Sequence, residues 1–355
     1  MRDQTHPDYA HDDQHRDDCV IRLFGRPDIE AMMDFFTDVD AVVSRHFLAT
    51  HGPDERALTE ALLACLDPCG PQLHGLKLSW PQLGRQIAAT GLVNIDTTLT
   101  VNPAPKEAVT RADLGIVVEF DDTISDTKWA KAMLLQAKRL YPQPKRNFRL
   151  TSRYQAFDRT QLNGLLAITS AVRGHVDRGP WANSYDPAFA DCARFLLYNP
   201  PWQSLAGNDG NVIAHRQALI DNGNILDYQW GQELHRELAE GTIGSLPGGT
   251  IAVPLCVIED AYRDAINKGV KSGNPALGDV IGRINARRCS LPWLIVLDLL
   301  AGHAGCCCHD FVRFVKGDLA ALSIGDTAEQ PAVPPAAVLH IIATVRTTDN
   351  GTRRR

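Results

Sequence analysis

The sequence contains no apolar run suited to crossing a membrane as a helix. The best candidate, residues 291–308, carries Asp298 and His303 near its middle, where each would be costly in hydrocarbon. Residues 1–18 also lack an apolar stretch, so we expect no secretory signal peptide there. We therefore expect a cytoplasmic protein without a membrane partner, whose nine scattered cysteines are reduced thiols.

Four short motifs of well-understood enzymes are also missing. The sequence has no G-x-x-x-x-G-K-S/T phosphate loop, no G-x-G-x-x-G dinucleotide fingerprint, no H-E-x-x-H and no G-x-S-x-G. These absences argue against an ATPase, a Rossmann-type enzyme, a metalloprotease and an esterase, without excluding them.

Positive charge is scarce, because 36 Lys and Arg face 42 Asp and Glu and leave a formal net charge of −6. This balance argues against a uniformly basic nucleic-acid coat protein, although it allows a local basic surface. Hydrophobic residues make up 44% of the 355 residues, as in an ordinary globular protein of one elaborated domain or two. A chain of this size can bury a sizeable core without disulfides or metal.

The spacing of apolar residues predicts both helices and strands, and thus an α/β protein. Helical periodicity predicts helices over residues 27–50, 55–66 and 160–172. Asp54 suits the N-cap of the second helix. Alternating or compact β-branched patterns predict strands over residues 95–101, 114–120, 129–140 and 339–345.

The segments between these elements are less clear. An acidic turn at residues 121–126 would join the second and third strands into a hairpin. Residues 179–211 are rich in Asn, Pro and Gly, which predicts surface loops. Residues 250–259 and 291–300 are apolar and predict buried elements whose type the pattern does not fix.

The predicted hairpin brings three polar side chains to one end. Gln136 and Lys138 are two residues apart and therefore share one face of their strand. A turn centred between Ile124 and Ser125 places Asp113 opposite Gln136, at cross-strand contact distance. A slip of one residue in the register would separate the two faces.

An acid, an amide oxygen and an ammonium at one point suit the cleavage of a phosphodiester bond. Asp113 and Gln136 offer oxygen ligands for Mg²⁺ or Mn²⁺, and the carbonyl of Ala137 offers another. Lys138 could orient the attacking water and stabilise the charge that develops on the phosphate. Taken singly, each of these residues is more simply explained as a turn cap or a solvated edge charge.

Four predicted elements follow one another: a helix, a strand, a strand that begins at Asp113 and a strand that ends in Gln136-x-Lys138. This order of elements resembles the PD-(D/E)XK restriction-endonuclease-like superfamily. More narrowly, they are similar to branches related to type IV restriction enzymes, where Gln replaces the first acid of the (D/E)XK half. The likeness covers about residues 50–170. It implies a restriction-endonuclease-like core of helix, mixed β-sheet and helix, followed by a C-terminal α/β extension.

The resemblance also implies a function and further site residues. It implies a Mg²⁺- or Mn²⁺-dependent endonuclease that acts on DNA, with RNA as the alternative, in bacterial defence against phage or foreign DNA. The preceding helix would contribute Glu55, on the stripe of Leu58 and Leu62, to a metal site with Asp113 and Gln136. Glu60 is the weaker choice, because it lies on the polar side of that helix. Gln in place of an acid should weaken metal binding.

This resemblance suggests a division of the chain. Residues 1–20 would be a disordered acidic tail and residues 21–172 the nuclease core. Residues 173–345 would pack on the core and could bind a sensor or partner protein, and residues 346–355 would be a basic tail.

A basic segment follows the Gln-x-Lys strand. Residues 128–159 hold nine Lys or Arg against one acid, with aromatic residues between them. Such a segment suits phosphate contacts and stacking on unpaired bases. The alternative is a solvated basic face over core aromatics. The candidate nucleic-acid-binding residues are Lys131, Arg139, Lys145, Arg146, Arg149 and Arg153.

Two further clusters have alternative interpretations. His303, Cys306, Cys307, Cys308 and His309 are dense enough to suggest zinc, but adjacent cysteines fit one tetrahedral ion poorly, so we favour buried thiols. The acids Glu119, Asp121 and Asp122 are interpreted as a solvated turn. Two other functions remain open: a nuclease-like domain that only binds nucleic acid, and a zinc-stabilised scaffold protein.

Overall fold

We describe the fold from a computed structural model of the protein. The described residues are 24, 26–49, 54–70, 73, 75–89, 93–101, 112–124, 127–143, 147–155, 157, 159–176, 191–207, 209, 249–284, 289–300, 305–318 and 335–345. The expected tails at residues 1–20 and 346–355 lie outside them.

Helices of very different length surround the sheet. They are α1 Arg26–Ala49, α2 Glu55–Leu66, α3 Trp80–Ala89, α4 Arg159–Val176, α5 Leu255–Asn267, α6 Leu277–Ile281, α7 Leu291–Trp293 and α8 His309–Val315. The short α7 continues as a π-helical segment, Leu294–Leu300. A single 3₁₀ turn spans Trp202–Ser204.

Seven strands form one mixed, open sheet. They are β1 Val93–Val101, β2 Leu114–Asp122, β3 Thr127–Tyr141, β4 Arg153–Tyr154, β5 Ala193–Tyr198, β6 Ile251–Pro254 and β7 Ala337–Val345. The order across the sheet is β1-β7-β2-β3-β5-β6, with β4 paired to β3. The β7–β2 and β3–β5 pairs are parallel, and the other pairs are antiparallel. The protein is therefore an α/β protein, as its sequence patterns predict.

The predicted helices are confirmed with small changes of boundary. The segments predicted at 27–50, 55–66 and 160–172 correspond to α1, α2 and α4. Asp54 caps α2 as expected, because its side chain accepts a hydrogen bond of 2.8 Å from the N–H of Ala57. One face of α2 is buried through Leu58 and Leu62, which fixes the helix against the core.

The predicted hairpin and its register are confirmed. Leu114 pairs with Leu135 and Asp122 pairs with Thr127, which is the register that places position 113 opposite position 136. The expected turn at 121–126 is too long, because Asp121 and Asp122 belong to β2. Stacking of Phe120 on Trp129 at 5.4 Å extends the strands toward the turn.

The prediction of loops over residues 179–211 is wrong at β5. Its residues are all buried, and the strand lies between β3 and β6. A strand covered on both faces has no polar alternation, so its apolar run lacks the usual strand signal. The structure also gives the type of the two segments that the apolar pattern left open. Residues 250–259 contain β6 and the start of α5, and residues 291–300 are helical.

Strands from both parts of the chain share the sheet. β1 to β4 come from residues 21–172, whereas β5 to β7 come from residues 173–345. β7 lies between β1 and β2, so the later part supplies a neighbour to the strand that follows Asp113. Within the described part of the chain, no helix is long and apolar enough to span a membrane.

Candidate active site

The site lies where β2 begins and β3 approaches its end. The backbone of Asp113 is held from both sides: its N–H donates to Leu135 O at 3.0 Å, and its carbonyl accepts from Ala337 N at 3.2 Å. Gly115 allows the close packing nearby, since a Cβ there would lie 2.7 Å from both Pro335 and Val315. These contacts fix the position of Asp113 between β3 and β7.

The side chain of Asp113 contacts the Gln136 segment, as the register predicts. Asp113 Oδ2 accepts a hydrogen bond of 2.5 Å from Gln136 Nε2 and one of 2.7 Å from the N–H of Ala137. Gln136 and Lys138 are both buried. The two polar side chains at alternate positions of β3 therefore lie inside the protein and do not form a solvated edge.

Glu55 reaches the same place from the first turn of α2. Its Oε2 lies 3.3 Å from Lys138 Nζ, and the Lys138 side chain is only 3% exposed. Since Asp54 starts α2 at this point, the cap fixes where Glu55 enters the site. The structure thus brings together Glu55, Asp113, Gln136 and Lys138, the four residues predicted from the sequence.

Burial dominates the electrostatics of the two acids. It raises the pKa of Asp113, against the opposing effects of the Ala137 N–H, Lys138 and Gln136. It also raises the pKa of Glu55; Lys138 opposes that rise and the charge of Asp113 adds to it. One buried ammonium is therefore shared by two carboxyl groups that repel each other when ionised. A second cation would relieve that repulsion.

Gln136 has an unused acceptor. Its Oε1 is buried and has no hydrogen-bond partner among the described residues, whereas its Nε2 donates to Asp113. Leaving a buried acceptor unpaired costs about 1–3 kcal/mol. A ligand bound to Gln136 Oε1 would remove this cost and would explain why the acceptor is unpaired.

The donor set suits a hard divalent cation, although it contains few acids. No group of three or more His, Cys, Asp or Glu in the described residues is arranged to hold a metal ion. The site instead offers the carboxylates of Glu55 and Asp113 and the amide oxygen of Gln136. Oxygen donors of this kind fit Mg²⁺ or Mn²⁺ and do not fit a soft metal such as copper(I).

Sequence reasoning missed Thr59 and Tyr198, which support the site. The Thr59 hydroxyl donates to Glu55 O at 2.9 Å and lies 3.1 Å from the Tyr198 hydroxyl. Because Thr59 has one proton, Tyr198 is the donor of the second bond. Burial raises the pKa of Tyr198, and the negative charges of Asp113 and Glu55 add to that rise. No signal in the sequence marked Tyr198, because its strand is a short apolar run inside a segment rich in Asn, Pro and Gly.

The other acids considered in the sequence lie elsewhere. Glu119 pairs with Lys316 and lies 3.1 Å from His340 Nε2, near the far end of β2. Asp121 pairs with Lys128 at 3.0 Å, across the hairpin. The interpretation of Glu119, Asp121 and Asp122 as a turn is wrong, since all three lie in β2.

Glu60 lies on the exposed side of α2, as expected for the weaker choice. Its Oε1 accepts a hydrogen bond from Arg56 Nε at 2.9 Å, and both side chains are mostly exposed. Glu60 therefore does not reach Lys138, in contrast to Glu55 on the same helix.

The basic residues expected to bind nucleic acid do not form one exposed surface. Lys131 and Arg139 are buried, with Arg139 over the Tyr141 ring at 4.5 Å and Lys131 over the Trp129 ring at 5.4 Å. These two side chains pack on aromatic rings of the hairpin through cation–π contacts, and little of either is exposed.

The remaining basic candidates differ in exposure. Arg153 is half-buried and donates to Asn274 O at 2.8 Å, whereas Arg149 is exposed. Lys145 and Arg146 lie outside the described residues. Of the described candidates, Arg149 is therefore the most available to a ligand.

The described members of the cysteine and histidine cluster, residues 306–309, are not arranged to hold a metal ion. Cys306 is buried, Cys307 is exposed, and His309 points into solvent with its side chain 81% exposed. His303 lies outside the described residues. The eight described cysteines form no disulfide with one another.

Comparison of the chain with known protein families, with curated proteins and with solved structures finds no match.

Proposed function

We propose that the protein is a metal-dependent nuclease that hydrolyses phosphodiester bonds in DNA. One observation carries this proposal: Glu55, Asp113, Gln136 and Lys138 meet in one buried site, although they come from a helix and two strands. Buried charges are costly and are found together mainly where chemistry or a ligand requires them.

The residues divide into two roles. Asp113, Glu55 and the unpaired Oε1 of Gln136 would hold Mg²⁺ or Mn²⁺. When bound, such a cation lowers the pKa of a water and neutralises charge on a phosphate. Lys138 keeps its ammonium close to both acids, where it can orient a water and stabilise charge that develops on the phosphate.

The substrate and the setting rest on the resemblance of the Gln-x-Lys strand to restriction enzymes. That resemblance favours DNA over RNA and a role in bacterial defence against phage or foreign DNA, and fold alone does not fix such a role. The resemblance also leaves residues 173–345 available to a sensor or partner protein. Exposed Arg149 is the candidate for a phosphate contact.

The test compares Asp113→Asn with Glu60→Gln on plasmid, single-stranded DNA and RNA, with Mg²⁺, Mn²⁺ or EDTA. Asp113→Asn keeps the shape of the side chain and removes its charge, whereas Glu60 belongs to α2 but contacts Arg56 at the surface. We expect metal-dependent cleavage that Asp113→Asn lowers by roughly 100-fold or more and that Glu60→Gln leaves unchanged. Circular dichroism would check that both variants are folded.

Two results would reject the proposal. Cleavage that survives both EDTA and Asp113→Asn would come from another site or a contaminant. DNA binding without cleavage by the native chain, unchanged in Asp113→Asn, would identify a nuclease-like domain that only binds nucleic acid.

A further inference from the structure

Two cysteines form a pair just before α8. The N–H of Cys308 donates to Cys306 Sγ at 3.3 Å, so the chain folds back over the Cys306 side chain. Cys306 is fixed in turn, because its N–H and carbonyl each bond to Ala132 of β3 at 2.9 Å. The pair is therefore held against the sheet by one of its members.

The two thiols differ in access and in protonation. Cys306 is 1% exposed, whereas Cys308 is half-buried and reachable from solvent. A hydrogen bond from the Cys306 thiol lowers the pKa of Cys308 to about 6, with further help from the N–H groups of Phe311 and Asp310. The same bond, together with burial, raises the pKa of Cys306. These opposite shifts favour the proton on the inner sulfur and the thiolate on the outer one.

We propose that Cys306 and Cys308 form a peroxide-reactive dithiol, in which the accessible Cys308 attacks a hydroperoxide and the buried Cys306 resolves the product. Both residues are free cysteines in the structure, and the Cys306 sulfur lies 3.3 Å from the backbone nitrogen of Cys308. This pair is separate from the residues of the proposed nuclease site.

The reaction has two balanced steps. The Cys308 thiolate attacks one oxygen of hydrogen peroxide, the O–O bond breaks, and the hydroxide that leaves takes a proton to become water, so Cys308 becomes a sulfenic acid. The Cys306 sulfur then attacks the Cys308 sulfur, the S–O bond breaks, and the hydroxide that leaves takes the proton of Cys306 to become a second water. The two sulfurs together lose two electrons, and the peroxide is reduced to two waters.

Three of the other described cysteines lack this combination of access and a lowered pKa. Cys65, Cys192 and Cys289 are buried, and burial raises the pKa of each to about 12, so they remain protonated thiols. Cys192 lies close enough to Cys306 to affect its pKa, which makes it the rival partner for a disulfide.

The first experiment treats the full-length native chain with about one equivalent of hydrogen peroxide and maps its disulfides after non-reducing digestion. We expect a Cys306–Cys308 disulfide, seen as the loss of two hydrogens from the peptide that contains residues 306–308. A disulfide from Cys192 to either residue, oxidation of this peptide at Cys307 alone, or oxidation at Cys69 with this peptide intact would overturn the proposal.

Variants separate the two roles. Cys308→Ser should slow the loss of peroxide at least about tenfold and prevent the disulfide, because the attacking thiolate is gone. Cys306→Ala should leave a sulfenic acid on Cys308, which dimedone traps. Cys307→Ser is the matched control within the same loop, and we expect it to behave like the native chain; equal slowing in Cys307→Ser and Cys308→Ser would contradict the assignment.

The pH dependence of alkylation gives a second readout. The rate of iodoacetamide labelling at Cys308 should be half-maximal near pH 6 in the native chain. In Cys306→Ala the midpoint should move toward the value of a free cysteine, about 8.5, since the thiol donor is lost. A midpoint that is the same in both proteins would show that Cys306 does not stabilise the thiolate.

Discussion

Both ends of the β2–β3 hairpin place acidic residues beside basic ones, but the pKa values of the acids shift in opposite directions. At one end, Asp113 and Glu55 share the buried ammonium of Lys138, and burial raises the pKa of both acids. At the other end, Glu119 contacts both Lys316 and His340. Burial there also raises the pKa of Glu119, but the two basic partners outweigh it and the net pKa is lowered.

Under the proposed function, this difference would separate a site for a ligand from a structural ion cluster. At the other end, Glu119 has two basic partners, and their combined effect lowers its pKa. The Asp113 end has two acids for one cation and an unpaired amide oxygen on Gln136. Similar composition therefore gives opposite chemistry, because the balance of burial and countercharge differs. Substitutions at matched positions can test this contrast.

The largest contrast should come from the two lysines. If Lys138 stabilises charge on the phosphate, Lys138→Ala should lower nuclease activity by roughly 100- to 1,000-fold. Lys316→Ala removes a lysine from the other end and should leave activity unchanged. The measurement is the rate of plasmid cleavage at saturating Mg²⁺, with thermal melting as the check on folding. A similar loss of activity in both variants would mean that activity depends on the overall charge of the protein and not on a lysine at the Asp113 site.

An intermediate effect is expected from Gln136→Glu, which adds a third acid beside Asp113. The variant replaces the Nε2 donor that contacts Asp113 Oδ2 with an acceptor, and it brings a like charge. Without metal, the free energy of unfolding should fall by about 1–3 kcal/mol. With Mg²⁺ or Mn²⁺, it should recover more than in the native chain, since a stronger ligand stabilises the folded state by mass action.

Chemical denaturation with and without metal measures this effect. Glu119→Gln, at the far end of the hairpin, is the control. Adding metal should change its free energy of unfolding by the same amount as that of the native chain. A Gln136→Glu protein that is destabilised equally with and without metal would argue against a cation at this position.

The sequence carried enough information to find the Asp113 site but not its surroundings. Two compact apolar runs on either side of an acidic turn predict a hairpin, and a turn centred between Ile124 and Ser125 pairs Asp113 with Gln136, which is the register of the structure. The placement of β7 beside β2 could not be predicted, because parallel pairing between distant segments leaves no local pattern. Tyr198 was missed because it lies on a strand that is buried on both faces, and such a strand shows no alternation of polar and apolar residues.

Charge counts were a poor guide to surfaces. Lys131 and Arg139 belong to a basic segment in the sequence, yet both are buried over aromatic rings. A count of charges does not reveal which face of a strand is covered, and long basic side chains can bury their apolar stems. Whether a basic segment forms a basic surface therefore depends on which of its side chains are buried, and only the fold determines that.

The smallest effect is expected at Glu119, and it depends on pH. The folded-state pKa of Glu119 is lowered from its usual value of 4.5, so its pairing with Lys316 and His340 contributes stability above that value. This contribution is lost as the pH falls through the lower, folded-state pKa. Glu119→Gln should therefore reduce the free energy of unfolding by no more than about 1 kcal/mol at neutral pH, because the pair is partly exposed, and the deficit should vanish in acid. Urea denaturation of both proteins at pH values from neutral to about 3 would measure it. A deficit that grows in acid, or one that is accompanied by a loss of nuclease activity, would remove the distinction between the two ends of the hairpin.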